Sequence, residues 1–226
     1  MAYHHSFRVE RSGLILYLDA GNRRSYSGSG TNWNDISGNT INGTFTNGPI
    51  FNSSNFGNVA FDGVNDYISI SHNNIFNFTT ALSISCWFKT TQSVDAYLTT
   101  KSNDSFYFGI GPAGTTAEKL SFYGNGVTNW FQSNVSVNTG NWVNGVVTWN
   151  GAIVSLYVNG VLDNFVARGG TLWTGTNVLT VGARINSSPF NGYLNGNISN
   201  IMYYNRGLSA SEVLQNYNAL RGRFGL

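Results

Sequence analysis

The stretch from Val143 to Val166, VNGVVTWNGAIVSLYVNGVLDNFV, constrains the fold more than any other part of the chain. It holds three apolar runs, Val146–Trp149, Ile153–Val158 and Val161–Val166, parted by Asn150-Gly151 and Asn159-Gly160. Asn-Gly is a strong hairpin signal, because a type I′ turn needs positive φ at both central residues. The runs are rich in Val, Ile, Thr, Tyr and Trp, which suit a pleated, half-buried surface. They predict a three-stranded antiparallel meander. Asp163 is the stretch's only ionisable acid, so it speaks of scaffold rather than chemistry.

Composition narrows the class around that meander. A chain of 226 residues can bury a sizeable core without covalent staples, and all-β sandwiches of this size form single domains. Cys86 is the only cysteine, so no intrachain disulfide forms, and its apolar strand SISCWF suits a buried, inert thiol. Charged residues make up 10% and aromatics 15%, a balance that fits many short strands joined by tight turns rather than disorder. A net charge of +2 is too weak for nucleic-acid binding on charge alone. No run approaches a membrane span, and Met1–Arg11 lacks the apolar core of a signal peptide. Arginines cluster at the two ends, at Arg8, Arg11, Arg23 and Arg24 and at Arg206, Arg221 and Arg223. Domain ends often lie close together, so these form either one basic patch or scattered solvated cations.

Residues 1–12 read as an arm, 13–220 as one domain and 221–226 as a tail. GLILYLDA (Gly13–Ala20) is an apolar strand. The 21–57 region is turn-rich and too polar for a core, pinned by Trp33, Ile36 and Phe45. Val59–Ile70 gives strand residues around an Asp62-Gly63 and Asn65-Asp66 corner. LSISCWF (Leu82–Phe88) alternates, as a strand with one wet face does. Further strands are expected around Tyr97–Thr100, Phe106–Ile110, Leu120–Tyr123, Trp130–Val137, Val178–Val181 and Tyr193–Tyr204. One helix is expected from Ser209 to Leu220: Ser209 and Glu212 form a capping box, and Val213, Leu214, Tyr217 and Leu220 share a face. Gly222 is the expected stop. The reading is all-β: a two-sheet antiparallel jelly-roll sandwich with a short C-terminal helix.

Four stretches resemble a known family. They are GLILYLDAGN with NWNDISGNTINGT, then AFDGVNDYISI with LSISCWFKT, then NWVNGVVTWNGAIVSLYVNGVL, and last LTVGAR with FNGYLNGNISNIMYYNRGLSASEVLQNY. Together they resemble the laminin-G-like, concanavalin A-like jelly-roll domains over about residues 13–220. This fold hosts lectins, adhesive modules, glycan hydrolases and structural domains, so it does not name a ligand. Free-standing domains of this kind resemble virion structural proteins of tailed bacteriophages: capsid decorations, fibres or appendage modules.

Three kinds of chemistry follow. Glycanases of this fold carry a strand-borne E-x-D-x-E pair, whose alternate carboxylates face one side of the sheet. Here Glu10, Glu118 and Glu212 have no acidic neighbour at i+2 or i+4, and His4, His5 and His72 build no triad, so no enzyme is expected. The resemblance implies a rim calcium, with Asp19, Asp62 and Asp66 as candidate ligands. Asp62 and Asp66 read equally as turn residues bonding their own backbone. For glycan stacking the candidates are Trp130 and Trp173, in TNWFQ and TLWTG, with Asn129 and Asn177 beside them. Each Trp could instead plug its loop onto the sandwich.

The leading expectation is a non-enzymatic virion-surface protein, made in a host cytoplasm, that requires no cofactor. Its partners would be other virion proteins, its own copies and a host polysaccharide, with no nucleic acid and no membrane insertion. Arg8, Arg11, Arg221 and Arg223 are the candidate docking residues. The alternative is a stand-alone bacterial carbohydrate-binding module working outside the cell. A glycan hydrolase stands third.

Overall fold

A computed structural model describes residues 8–101, 105–111, 115–185 and 192–226. Residues 1–7 of the expected arm, and the turn at Ser102-Asn103-Asp104, lie outside the described residues. In chain order the strands begin β1 (Leu14–Asp19), β2 (Asn32–Trp33), β3 (Gly43–Thr46), β4 (Ile50–Asn52), β5 (Asn58–Asp62) and β6 (Tyr67–Ile70). There follow β7 (Leu82–Thr90), β8 (Ala96–Lys101), β9 (Phe106–Ile110), β10 (Lys119–Gly124), β11 (Thr128–Ser136) and β12 (Val143–Trp149). Last come β13 (Ile153–Val158), β14 (Val161–Ala167), β15 (Leu179–Val181), β16 (Ala183–Arg184), β17 (Gly192–Tyr193) and β18 (Asn195–Tyr204). Helix α1 (Ala210–Leu220) and a 3₁₀ turn (Arg221–Phe224) close the chain.

Two antiparallel sheets form the sandwich. One runs β14-β13-β12-β7-β18-β5-β4, with β1 on the other half of β18; the second runs β11-β10-β9-β8-β15-β6-β3-β2. The meander is present as expected, Val147 facing Leu156 and Tyr157 facing Leu162. Its two turns differ. Asn159 and Gly160 both have positive φ (52° and 80°), as a type I′ turn requires. At the other, Asn150 pairs backbone to backbone with Ile153, so Gly151 and Ala152 are central and Gly151 alone has positive φ (90°). Asn150 instead uses its side-chain oxygen, which accepts from the amides of Ala152 and Ile153.

The strand at Leu82–Phe88 has no wet face. Ser83, Ser85 and Trp87 are as buried as Leu82, Ile84, Cys86 and Phe88. The reason is a third layer: α1 and the 3₁₀ turn lie over the outer face of the first sheet. Trp87 stacks on Phe224 (4.2 Å between ring centroids) and Tyr217 (5.5 Å). Ser83 donates to the Arg206 carbonyl and accepts from the Leu208 amide, both at 2.8 Å. An alternating polar position is therefore satisfied by protein instead of water. Cys86 is fully buried between the layers, and burial pushes its thiol well up, away from the reactive thiolate.

The 21–57 region is more ordered than its polarity predicts. It supplies β2, β3 and β4, and Trp33 is completely buried. Asp35 organises it, with one carboxylate oxygen accepting from the amides of Tyr17 and Ser37 and the other from the Ser37 hydroxyl.

The helix starts as expected, with both halves of the Ser209–Glu212 capping box present. It ends at Leu220 as expected, but Gly222 does not take a left-handed conformation; the chain tightens into the 3₁₀ turn and turns left-handed only at Gly225 (φ 74°). Glu212 also forms a two-pronged bond with Arg206 (2.7 and 2.9 Å). That guanidinium, with the Ser209 amide and hydroxyl, holds the Glu212 carboxyl down at about 2. A depressed carboxyl contributes stability above its ordinary value of 4.5 and loses it as the pH falls toward about 2. Thermal melts across that window should show this loss, and Glu212→Gln should flatten that part of the profile.

Candidate functional site

Register on the second sheet assembles a polar and aromatic row on its outer face. Thr44 faces Ser69, Ser69 faces Thr180, Thr180 faces Thr100, Thr100 faces Tyr107, and Tyr107 faces Tyr123. Residues directly opposite on neighbouring strands share a face. In β9 and β10 the alternation is clear, since Phe106, Phe108 and Phe122 are buried inward and Tyr107 and Tyr123 are only half-buried. In the β10–β11 pairing Phe122 faces Phe131, so Trp130, the next residue on β11, shares the outer face with Tyr123. The three rings form one cluster: Tyr123–Trp130 5.3 Å, Tyr107–Tyr123 5.6 Å and Tyr107–Trp130 5.8 Å.

These rings line a cleft of about 310 Å³ with Ser105, Asn125 and Arg184, near the small end of small-molecule sites. Arg184 comes from β16, and its guanidinium lies over Tyr107 at 4.7 Å and Tyr97 at 5.9 Å. Burial raises the Tyr97 phenol, and the Arg184 guanidinium pulls it part of the way back. Two polar atoms at this cleft, Ser105 Oγ and Arg184 Nε, are buried and have no hydrogen-bond partner among the described residues. A second cleft of about 420 Å³ lies beside the first, lined by Tyr123, Asn125, Asn129 and Arg168 among others.

The β10–β11 turn sits between the clefts. Val127 N–H donates to the Gly124 carbonyl (2.9 Å), leaving Asn125 and Gly126 central, with φ 83° at Gly126. A side chain at Gly126 would collide with the Thr171 carbonyl and the Trp173 ring, so glycine is required here. The loop carrying Trp173 is fastened at three points. Leu172 is buried, the Trp173 amide donates to the Asn125 carbonyl (3.0 Å), and fully buried Lys101 donates from Nζ to the Gly175 carbonyl (2.6 Å). Trp173 itself is 60% exposed.

Of the four residues the sequence offered for glycan contact, Trp130, Asn129 and Trp173 gather around this turn. Asn177 lines neither cleft, and its carbonyl faces Lys101 Nζ at 3.5 Å. Sequence reasoning missed Tyr107, Tyr123, Asn125, Ser105 and Arg184. The signal for the two tyrosines is present as aromatic alternation in FYF and SFY, but their meeting depends on register across two hairpins.

The calcium candidates are not one cage. Asp62 and Asp66 share a turn, where Asp62 Oδ1 accepts from the amides of Val64 (2.8 Å) and Asn65 (3.3 Å) and Asp66 Oδ2 from the Asp62 amide (3.2 Å). The Val64 amide bond is the chief cause of a lowered Asp62 carboxyl, and burial raises Asp66. Asp19 pairs with a different part of β18, opposite Asn200, while Asp62 lies opposite Asn195. Its carboxylate is held by Arg223 through two bonds of 2.9 and 3.0 Å. Calcium takes about six to eight oxygens, and no group of three or more His, Cys, Asp or Glu side chains comes together among the described residues. Asp19, Asp62 and Asp66 therefore do not supply their carboxylates to one common cage.

The candidate docking arginines are placed as follows. Arg8 is exposed, and its carbonyl accepts from Gln215. Arg11 donates to the Ile36 carbonyl (3.0 Å) and lies over Tyr17. Arg221 lies over Tyr217, and Arg223 is the internal partner of Asp19. The two ends of the described chain meet, as Glu10 N–H donates to Asn216 (2.7 Å), but Glu10, Asp19 and Glu212 sit among the arginines.

Known proteins agree with this architecture. The binding domain of Paraclostridial Mosquitocidal Protein 1 superposes with a TM-score of 0.70 at 16% identity, over 92% of this chain and 52% of that one. Domain 4 of AbnA, a GH43 extracellular arabinanase from Geobacillus stearothermophilus solved with arabinotriose, gives 0.66 at 18% identity, over 92% of this chain and 100% of that one. The binding domain of Botulinum Neurotoxin DC, solved with SialylT, gives 0.67 at 17% identity, over 93% and 52%. The chain thus spans about half the length of the toxin binding domains and all of the arabinanase domain. At such identities the likeness is one of fold. No match was found among curated proteins. The model of the concanavalin A-like lectin/glucanases superfamily matches residues 62–214, more than half of the sequence, and the chain belongs to that family.

Proposed function

We propose that this chain is a non-enzymatic carbohydrate-binding module whose platform is Tyr107, Tyr123 and Trp130. The observation that carries the reading is the half-buried aromatic trio lining a 310 Å³ cleft rimmed by Ser105, Asn125 and Arg184. The C–H face of a pyranose or furanose stacks on such rings, while amides and hydroxyls at the rim take its hydroxyl groups. The second cleft, with Asn129 and Trp173 near it, extends the surface for an oligosaccharide. The arabinanase domain of the same fold, solved with arabinotriose, supports the reading. So does the state of the glutamates, for Glu212 caps a helix, Glu10 accepts from the amides of Arg11 and Ser12, and Glu118 accepts from Ser136. Affinity electrophoresis against a panel of bacterial and plant polysaccharides tests it. We expect retardation by at least one polymer, and none across the panel would overturn the reading.

One observation favours a second reading, as part of a larger assembly such as a virion surface. Val161, Leu162 and Phe165 are 66%, 46% and 62% exposed on β14, an edge strand. Exposed apolar edges are sites where another chain docks. Sedimentation with particles tests it: the protein should travel with them, and Phe165→Glu should release it without lowering its melting temperature.

A further inference from the structure

Resting on the platform reading, we propose that the site selects glycans that carry a carboxylate, and that Arg184 is the residue that recognises it. The guanidinium lies over the Tyr107 ring, 4.7 Å from Cζ to the centroid. Hydrogen bonds with the Tyr97 and Tyr107 side chains take up part of the guanidinium, and Nε is the donor left for a further partner. No carboxylate forms an ion pair with Arg184 among the described residues, where the ion pairs involve Arg206 and Arg223. Its Nε is buried with no hydrogen-bond partner among the described residues, and so is Ser105 Oγ.

Such orphan donors are costly unless something completes them. The remaining lining residues, Tyr107, Tyr123, Asn125 and Trp130, are neutral, so among the described residues that line the cleft Arg184 is the one charged group. A carboxylate matches the fork of Nε and Nη with two parallel bonds and cancels that charge. A sugar hydroxyl accepts one bond and cancels nothing. Ser105 Oγ, on the same cleft, then serves the ring oxygen or a hydroxyl of the bound sugar. The aromatic trio holds the apolar sugar face beside the charged edge, an arrangement suited to an acidic monosaccharide unit within a chain.

Hexuronic and sialic acids both present this chemistry, and two arms separate them. Isothermal titration would compare tri-galacturonate with its carboxyl-reduced counterpart, and sialyllactose with its carboxyl-reduced counterpart. A sulfated, carboxyl-free carrageenan oligosaccharide forms a third arm. We expect at least one acid to bind roughly tenfold to a hundredfold more tightly than its reduced form, the range of a charged hydrogen-bond pair. That ratio should fall toward one in Arg184→Gln and stay intermediate in Arg184→Lys, which keeps the charge but not the fork. Melting temperatures check that both variants fold. Equal binding of acid and reduced sugar, a ratio unchanged in Arg184→Gln, or preference for the sulfated arm would overturn the inference. If reduced sugars bind as well as acids and Tyr123→Ala weakens both, acid selection fails and the platform stands. If none of these oligosaccharides binds, acid selection fails, and the polysaccharide panel decides the platform separately.

Discussion

Replacing Arg223 with methionine is expected to lower the melting temperature by about 6–20 °C. Asp19 is 4% exposed and sits at the end of β1, where its carboxylate meets Arg223 in a two-pronged bond. The same carboxylate accepts from the Gly21 amide (2.9 Å) and the Tyr17 hydroxyl (3.0 Å). Removing the cation leaves a buried carboxylate with neutral donors only, which costs about 3–5 kcal/mol. In a domain of this size each kcal/mol moves the midpoint by roughly 2–4 °C. The loss should shrink in an Asp19→Asn background, because a neutral amide needs no counterion. A midpoint unchanged within about 2 °C in Arg223→Met would show that the pair carries no net stability. Removing residues 221–226 should cost more still, since it also takes Phe224 from its stacks on Trp87 and Trp142. Loss of particle docking after that deletion would therefore report unfolding as readily as a lost contact.

Replacing Trp130 with alanine is expected to weaken glycan binding by about 30-fold or more, the effect of truncating an aromatic hot spot of about 2 kcal/mol. Trp130 touches both tyrosines of the platform, and its removal leaves the cleft without one wall. The fold should survive. Trp130 lies on an outer strand, β11, and is not among the buried core residues, so the midpoint should fall by less than about 4 °C. Affinity electrophoresis with the polymer that retards the parent protein measures the first effect, and thermal melting the second. Full retention of binding in Trp130→Ala would remove the trio as the platform.

The scaffold was legible because its signals are local. Positive-φ turn residues at Asn159-Gly160, the apolar runs of the meander and the Ser209–Glu212 capping box act within a few residues of themselves. Family motifs along the chain carried the rest of the architecture. Errors arose where a distant element decided the outcome. Leu82–Phe88 alternates like a half-wet strand, yet α1 and the 3₁₀ turn cover its polar side. The 21–57 region reads as loops, yet pairing with β5 and β6 makes strands of it.

The candidate site divides in the same way. Trp130, Trp173 and Asn129 could be named from their polar surroundings, and they do gather at one turn. Tyr107 and Tyr123 meet only through the β9–β10 register, and Trp130 joins them through the β10–β11 register, in which Phe122 faces Phe131. Arg184 arrives from far along the chain, on β16, to lie over Tyr107. The pairing of Asp19 with Arg223 spans nearly the whole sequence. Turn chemistry, strand periodicity and helix capping depend on neighbours in sequence, so the amino acids alone determined a two-sheet sandwich with a capped helix. Which rings share a face, which arginine lies over them and which aspartate is neutralised depend on strand register and chain crossing. Those were decided by the tertiary structure, because they bring together groups that no local rule connects.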